Sequence, residues 1–338
     1  MPGEQCVAAE ARRRHLPQAS RRRRRAHRPV AATCSVARLR GIMNVVPGRC
    51  RPRTTLAGWE TMSFEIASSD ATVEFWSDSR LQYEPKGEMR HARDELRAAL
   101  KHVAATGELF AEYASTDPAF CDVENVLFYN VGTTSFAALA RRRLRFQRSF
   151  ASPAATPSGA HRAHQHRYET RAATPVRWRT RRNIGERRFQ LPTKVRATTI
   201  WAAARAAATV QAADAGAREV GLEVRLVLPT NSTLGLHSSM KALLDGIIAS
   251  FHRHDGSGNV DDLSSRVAAQ LGVTAGEARG LLLEGPAELG PRRLVHAFGR
   301  QVQWNPADDW LVTADLCVER VGGSPGECTA MLVDVERT

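Results

Sequence analysis

Hydrophobic and polar residues follow regular patterns from Met62 onwards, whereas residues 1–61 show no sustained period of either kind. The clearest alternation lies at residues 220–228, where aliphatic side chains alternate with Gly221, Glu223 and Arg225 and predict a strand. Apolar residues at helical spacing predict helices over residues 88–104, 193–214 and 239–251. Helices and strands intermingle without a regular βα rhythm, which predicts an α+β domain with a mixed sheet and packed helices.

Shorter signals complete the predicted domain. Thr274 with Glu277 forms a capping box, and Asn259 is placed to cap another helix that ends at Gly272. Residues 151–175 carry Pro, Ser and Ala and are expected to form a loop. Strands are expected near residues 64–66, 71–75, 126–131, 144–150, 294–298, 310–318 and 331–335.

Residues 1–61 differ from the rest in composition as well as in pattern. They hold 14 arginines against three glutamates, a net charge of +11, with few large apolar side chains. Such a segment cannot bury enough surface to offset the entropy lost on ordering. We therefore expect either a disordered basic arm that binds nucleic acid or translated upstream sequence, with Met62 or Met43 as the true start, and we favour the second.

The remaining positive charge is concentrated in one block. Residues 141–188 hold 14 arginines against Glu169 and Glu186, a net charge of +12, while the rest of the chain beyond residue 61 is acidic. We interpret 62–338 as a single domain with a basic loop at about 151–188. Arginine interleaved with aromatic residues suits phosphate contact and base stacking, so the candidate nucleic-acid contacts are Arg177, Trp178, Arg179, Arg181 and Arg182. The alternative is a solvated strand face followed by a loop.

The sharpest candidate for chemistry is the helix predicted after the strand at 220–228. It carries Lys241 and Asp245 four residues apart, so that both lie on one face if the helix extends that far. We expect Lys241 to be accessible and its replacement to leave stability nearly unchanged. An ordinary solvated pair opposite the apolar face is the alternative to a catalytic pair.

This strand–turn–helix unit resembles the RusA-type Holliday-junction resolvases over about residues 120–262. In that family the turn reads Asp-x-Asp-Asn, the Asp residues bind Mg²⁺, and a helical Lys, followed by an Asp, assists phosphodiester cleavage. Lys241 and Asp245 match the family's Lys and helical Asp, whereas Gly235 and His237 stand at its metal-binding positions and Ser238 at its Asn. The family's further acidic residue corresponds to Asp255 or to the Asp pair at 261–262. The resemblance implies Mg²⁺ as the cofactor, with His237 and Asp255 as candidate ligands.

Two other polar segments offer weaker chemistry. The segment 251–262 begins like a calcium loop, but Val260 and Arg266 occupy the places of its Gly and Glu, which argues against calcium. The histidines at 161, 164, 166, 252 and 254 are candidate zinc ligands if they converge. Asp308 and Asp309 stand before a strand and predict a turn.

Absent motifs narrow the function further. The chain has no P-loop, G-x-G-x-x-G, G-x-S-x-G or H-E-x-x-H motif, which argues against nucleotide motors, dinucleotide enzymes and common hydrolases. No C-x-x-C pair, secretion signal or membrane-length apolar run is present, so a cytoplasmic protein with reduced thiols is expected.

Three hypotheses follow from these patterns. The first is a nucleic-acid-associated protein of resolvase-like fold, with or without catalytic activity, that has DNA or RNA as its partner. The second is a divalent-metal-dependent nuclease. The third is an adaptor or scaffold whose basic loop binds an acidic protein.

Overall fold

The computed structural model describes residues 62–117, 121–171, 176–208, 219–323 and 325–338. The arm expected at residues 1–61 lies outside the described residues. The described helices are α1 (Gly87–Leu100), α2 (Ala197–Ala206), α3 (Leu236–Ser250), α4 (Val260–Leu271) and α5 (Ala275–Leu283), together with a π-helix at Asn125–Tyr129 and 3₁₀ turns at Thr133–Phe136 and Asp308–Trp310.

The strands are β1 (Phe64–Ser68), β2 (Thr72–Ser77), β3 (Glu108–Ser115), β4 (Arg143–Arg148), β5 (His164–Glu169), β6 (Trp178–Gln190), β7 (Val220–Pro229), β8 (Arg253–His254), β9 (Pro291–Arg292), β10 (Val295–Phe298), β11 (Gln301–Trp304), β12 (Leu311–Val321) and β13 (Glu327–Arg337). Nine of them form one sheet in the order β1-β2-β5-β3-β4-β12-β7-β13-β6. The pairs β3–β4 and β7–β12 are parallel and the others antiparallel, so the α+β class with a mixed sheet is confirmed.

The period-two pattern of β7 decides which face of the sheet carries the core. Leu222 and Val224 are buried in the main core together with Leu244 of α3, whereas Glu223 and Arg225, which alternate with them, are exposed. Burying one face of the sheet under an apolar helix stripe removes both from water, which is the main stabilising contribution here.

Helix α3 follows β7 and packs closely against α2. Its apolar stripe is buried as predicted, at Met240, Leu243, Leu244, Ile247 and Ile248. The two helices approach so closely at Gly246 that a Cβ atom there would lie 2.7 Å from the carbonyl oxygen of Ala197. This crossing fixes the position of α3 and therefore of Lys241 and Asp245 on its polar side.

A second, smaller core joins α2 and α3 to the helices that follow them. Trp201 of α2 and Ala249 of α3 are fully buried there. The predicted caps begin these later helices, since the Asn259 side chain accepts a hydrogen bond from the Asp262 amide and Thr274 forms its capping box with Glu277.

Three expected elements are different in the structure. The apolar run at 126–131 forms the π-helix rather than a strand, because its buried side chains pack between other elements instead of joining a ladder. The expected loop at 151–175 contains β5, a central strand with buried polar side chains. The basic loop at 151–188 also includes most of β6, a thirteen-residue strand paired with β13, so that assignment was wrong.

Candidate functional site

The ammonium group of Lys241 lies at the centre of four carboxylates. Its Nζ atom is 2.9 Å from Asp245 Oδ1, 3.1 Å from both Asp122 Oδ2 and Asp308 Oδ2, and 3.2 Å from Glu124 Oε2. We call these five residues the Lys241 cluster. The side chain of Lys241 is 28% exposed, so the group is reached by solvent from one side. Lys241 is thus partly accessible, and it contacts four carboxylates where the alternative of an ordinary solvated pair expected Asp245 alone.

Three separate parts of the chain supply the carboxylates. Asp122 and Glu124 lie just before the π-helix, and Asp122 Oδ1 accepts a hydrogen bond from the Asn125 amide at 3.0 Å. Asp245 lies one helical turn after Lys241 on α3. Asp308 begins the 3₁₀ turn that leads into β12, so the predicted turn is confirmed.

The position of the cluster in the sheet differs from that of a strand–turn–helix site. The start of β12 pairs with Val220, the first residue of β7, so Asp308 comes from the end of the sheet where β7 begins. Lys241 meets it because α3 runs back along the sheet from the far end of β7. The turn at 229–235 itself contributes nothing to the cluster.

Burial controls the charge state of the carboxyl groups. The Glu124 side chain is only 2% exposed, and burial raises its pKa well above the ordinary value, an effect that the Lys241 charge offsets only in part. Burial likewise raises the pKa of Asp245 to about 6 and that of Asp308 to about 6, with the neighbouring Asp122 charge raising the latter further. These groups therefore hold protons more readily than exposed carboxylates do.

Lys241 itself stays charged. Burial acts against the ammonium form, but the four surrounding carboxylates outweigh it and raise the pKa of Lys241 above its ordinary value. A lysine in this state cannot act as a general base or form a Schiff base at neutral pH. Its role is that of a fixed positive charge.

When its four carboxyl groups are ionised, the cluster carries more negative charge than one lysine can balance. An ammonium group has three N–H donors, and here it faces four carboxylates. The buried Glu124 Oε1 has no hydrogen-bond partner, and the same is true of the buried Asn125 Oδ1. Unpaired, buried oxygen atoms beside excess negative charge are the environment in which a further cation is held.

The donor set suits a hard divalent cation. Carboxylate and amide oxygens are what Mg²⁺ and Ca²⁺ prefer, and Asp122, Glu124, Asn125 and Asp308 supply them. In the residues that the structure describes, no group of three His, Cys, Asp or Glu side chains is arranged to hold a metal ion as it stands. The Lys241 ammonium group occupies the centre of the cluster. Cation binding therefore requires the carboxylate oxygens to contact both Lys241 and the ion.

The candidate ligands His237 and Asp255 lie elsewhere. The His237 ring lies back over Gly235 at the start of α3, where a Cβ atom on Gly235 would be 2.8 Å from its Cε1. Asp255 is exposed, accepts a hydrogen bond from the Ser257 amide at 2.9 Å, and lies 4.0 Å from His254. The structure therefore brings neither of them into the Lys241 cluster.

Most candidate nucleic-acid contacts are already paired with carboxylates. Arg177 lies 3.4 Å from Glu112, Arg182 3.3 Å and Arg181 3.8 Å from Asp334, and Arg179 pairs with Glu336. We call these four the arginine quartet. Within the same basic block, Arg187 is fully buried and forms a bidentate pair with Glu288 at 2.8 Å, which makes it part of the core.

Trp178 differs from the expectation for a base-stacking residue. Its side chain is 4% exposed, its Nε1 donates to the Arg148 carbonyl at 2.6 Å, and it packs with Val333 and Val335. A ring buried between strands has no free face for a base.

Sequence reasoning missed Asp122, Glu124 and Asp308 as partners of Lys241. One signal was present, since residues 122–125 read Asp-x-Glu-Asn, which is chemically close to the Asp-x-Asp-Asn sought at residues 235–238. The cluster thus draws these side chains from a loop that lies 119 residues from Lys241 at Asp122.

Comparisons with known proteins add no relative. No protein-family model matches the chain, and no curated protein matches it. None of the described helices is long and apolar enough to cross a membrane.

Proposed function

We propose that this protein is a divalent-cation-dependent nuclease that hydrolyses phosphodiester bonds at the Lys241 cluster. The observation that carries the proposal is the buried, unpartnered Glu124 Oε1 inside a group of four carboxylates that one ammonium cannot balance. Nucleic acid is chosen as the substrate because the side chains of the cluster correspond in type to those of the resolvase family.

The chemistry follows from the properties of each group. A bound Mg²⁺ would neutralise the carboxylates and the charge that develops on the phosphoryl oxygens. Lys241 contributes a permanent positive charge to the same oxygens. Asp245, which lies outside that ligand set and has a pKa of about 6, is suited to accept a proton near neutral pH.

The reaction balances with water as the only co-substrate. A water oxygen bonds to phosphorus while the bond from phosphorus to the leaving oxygen breaks. The water proton passes to a carboxylate of the cluster, and the leaving oxygen takes a proton from solvent. No redox step is required.

The test is cleavage of labelled DNA and RNA by the full chain with Mg²⁺, Mn²⁺ or a chelator. Asp122→Asn and Glu124→Gln should each lower the rate by at least about 100-fold, since several kcal/mol of transition-state stabilisation are lost. Asp315→Asn is the matched control, because Asp315 is a carboxylate paired with Arg143 on neighbouring strands, outside the cluster. Cation-independent cleavage, or none on any substrate, would refute the proposal.

Binding and cleavage measurements on the same DNA and RNA also distinguish the other two hypotheses. A nucleic-acid-associated protein without catalysis would bind DNA or RNA in a salt-dependent way but leave it intact. An adaptor would bind an acidic protein and no nucleic acid.

A further inference from the structure

Two exposed tyrosines lie stacked beside the Lys241 cluster. The rings of Tyr83 and Tyr129 are parallel within 8°, with centroids 4.9 Å apart, although the side chains are 55% and 40% exposed. Within the described part of the chain, the other exposed large apolar side chains do not stack on one another in parallel. A parallel pair open to solvent leaves ring area that a third flat group can cover.

Both tyrosines are held by the fold. Tyr83 lies between Leu81 and Pro85, which are buried and anchor the segment on either side. The Asn130 side chain, next to Tyr129, donates a hydrogen bond to the Leu81 carbonyl at 2.7 Å and so ties the two segments together. The stack is therefore formed in advance, which lowers the entropy lost when a ligand binds.

The stack is also close to the proposed chemistry. Tyr129 ends the π-helix that begins directly after Glu124, so about one π-helical turn separates its ring from that carboxylate of the cluster. When a phosphodiester of a ligand lies at Lys241, the flat group next to that phosphodiester can thus contact the tyrosine rings.

We infer that the Tyr83–Tyr129 stack is a binding subsite for an unpaired nucleobase adjacent to the phosphodiester at the Lys241 cluster. The choice of ligand rests on the proposed function. Every base has a face that stacks on an aromatic ring, and only an unpaired, unstacked base can offer that face. The substrate class is therefore nucleic acid with an unpaired nucleotide at the cleaved position, and not continuous duplex.

The test measures binding in chelator, where cleavage cannot interfere. The probe is a short single-stranded oligonucleotide carrying 2-aminopurine, whose fluorescence falls when the base stacks, and its fully paired duplex is the comparison. Tyr83→Ala and Tyr129→Ala should each weaken single-strand binding by roughly 5- to 150-fold, the loss of one base–aromatic stack. Tyr83→Phe and Tyr129→Phe keep the ring and should bind nearly as the parent does.

Phe298→Ala provides the matched control, since Phe298 is an exposed aromatic residue on the β10–β11 hairpin and should not matter. Equal binding by parent and alanine variants, no 2-aminopurine quenching, or equally tight binding of the duplex would overturn the inference. Tyrosine-dependent binding without cation-dependent cleavage would support the subsite and refute the proposed nuclease, so the two failures are distinguishable.

Discussion

Replacing Lys241 by methionine should destabilise the protein in a way that depends on pH and on divalent cations. Methionine keeps the unbranched apolar stem of lysine but removes the ammonium group. The four carboxylates within 3.2 Å of Nζ would then face one another without their counter-charge. The substitution thus isolates the electrostatic contribution of the cluster from its packing.

The expected magnitude follows from the burial of the cluster. Removing one partner of a buried ion pair costs about 3–5 kcal/mol because the remaining charge is left uncompensated. The Lys241 side chain is 28% exposed, so solvent reduces this cost, and we expect a loss of about 2–4 kcal/mol at pH 8.

The loss should shrink as the pH falls. Asp245 and Asp308 have pKa values of about 6 in the folded protein, above the ordinary value of 3.8, so the folded state binds their protons more tightly. The protonated carboxyl groups therefore stabilise the folded state fully below about pH 4, and this stabilisation is lost as the pH rises through 6. Without Lys241 these pKa values rise further, and protonation relieves the repulsion at pH 5.

The assay is urea-induced unfolding of parent and variant at pH 5 and pH 8, in chelator and with millimolar Mg²⁺ or Mn²⁺. A cation held by the cluster at 100 times its dissociation constant adds about 2.7 kcal/mol to the stability of the folded state. Arg225→Met is the matched control, since it removes a cation from an exposed pair with Glu319 and should leave the unfolding midpoint nearly unchanged.

Three outcomes would refute this reasoning. They are a Lys241→Met variant as stable as its parent at pH 8, a loss that is the same at pH 5 and pH 8, and a loss that no divalent cation restores. The first would mean that the carboxylates repel one another far less than their geometry implies. The last would remove the main support for a cation site.

Three further predictions concern other parts of the molecule. Asp308→Asn should stabilise the protein by about 1–3 kcal/mol at pH 8 and by almost nothing at pH 4, because the parent loses stability as this carboxyl ionises. An equal gain at both pH values, measured by urea unfolding, would contradict this prediction. Leu244→Ala should lower the free energy of unfolding by about 2–5 kcal/mol, whereas Val273→Ala, at an exposed position, should lower it by less than about 1 kcal/mol. Similar unfolding midpoints for the two variants would refute the assignment of the buried face of α3. Changing the arginine quartet to glutamine should reduce the slope of log affinity for DNA against log salt concentration by only about 1 unit, since three carboxylates already neutralise most of the quartet's charge. A reduction of about 3–4 units would show that the arginines leave these carboxylates for phosphate groups.

Several elements could be predicted from the sequence because their signals are local. The middle of strand β7 follows a period of two, helix α3 carries a continuous apolar stripe, and the Thr274–Glu277 box begins α5. In each case neighbouring residues make the decisive contacts, so the pattern alone carries the information.

Other elements depended on contacts that no local pattern contains. The apolar run at 126–131 is compatible with either a strand or a helical segment, and packing made it a π-helix. The strand β5 begins with His164, Gln165 and His166, which suggest a loop, yet it is buried between β2 and β3. Polar side chains are stable there because partners such as Tyr113, whose hydroxyl lies 2.7 Å from His164 Nδ1, come from distant parts of the chain.

The candidate site shows the same division. Lys241 and Asp245 could be paired from the sequence because four residues span one helical turn. Asp122, Glu124 and Asp308 approach Lys241 only because β3, β12 and α3 are arranged around one sheet, over separations of 67 to 119 residues. Sequence spacing fixes which side chains share a helix face, whereas the convergence of remote carboxylates on one ammonium group is decided by the packing of whole elements.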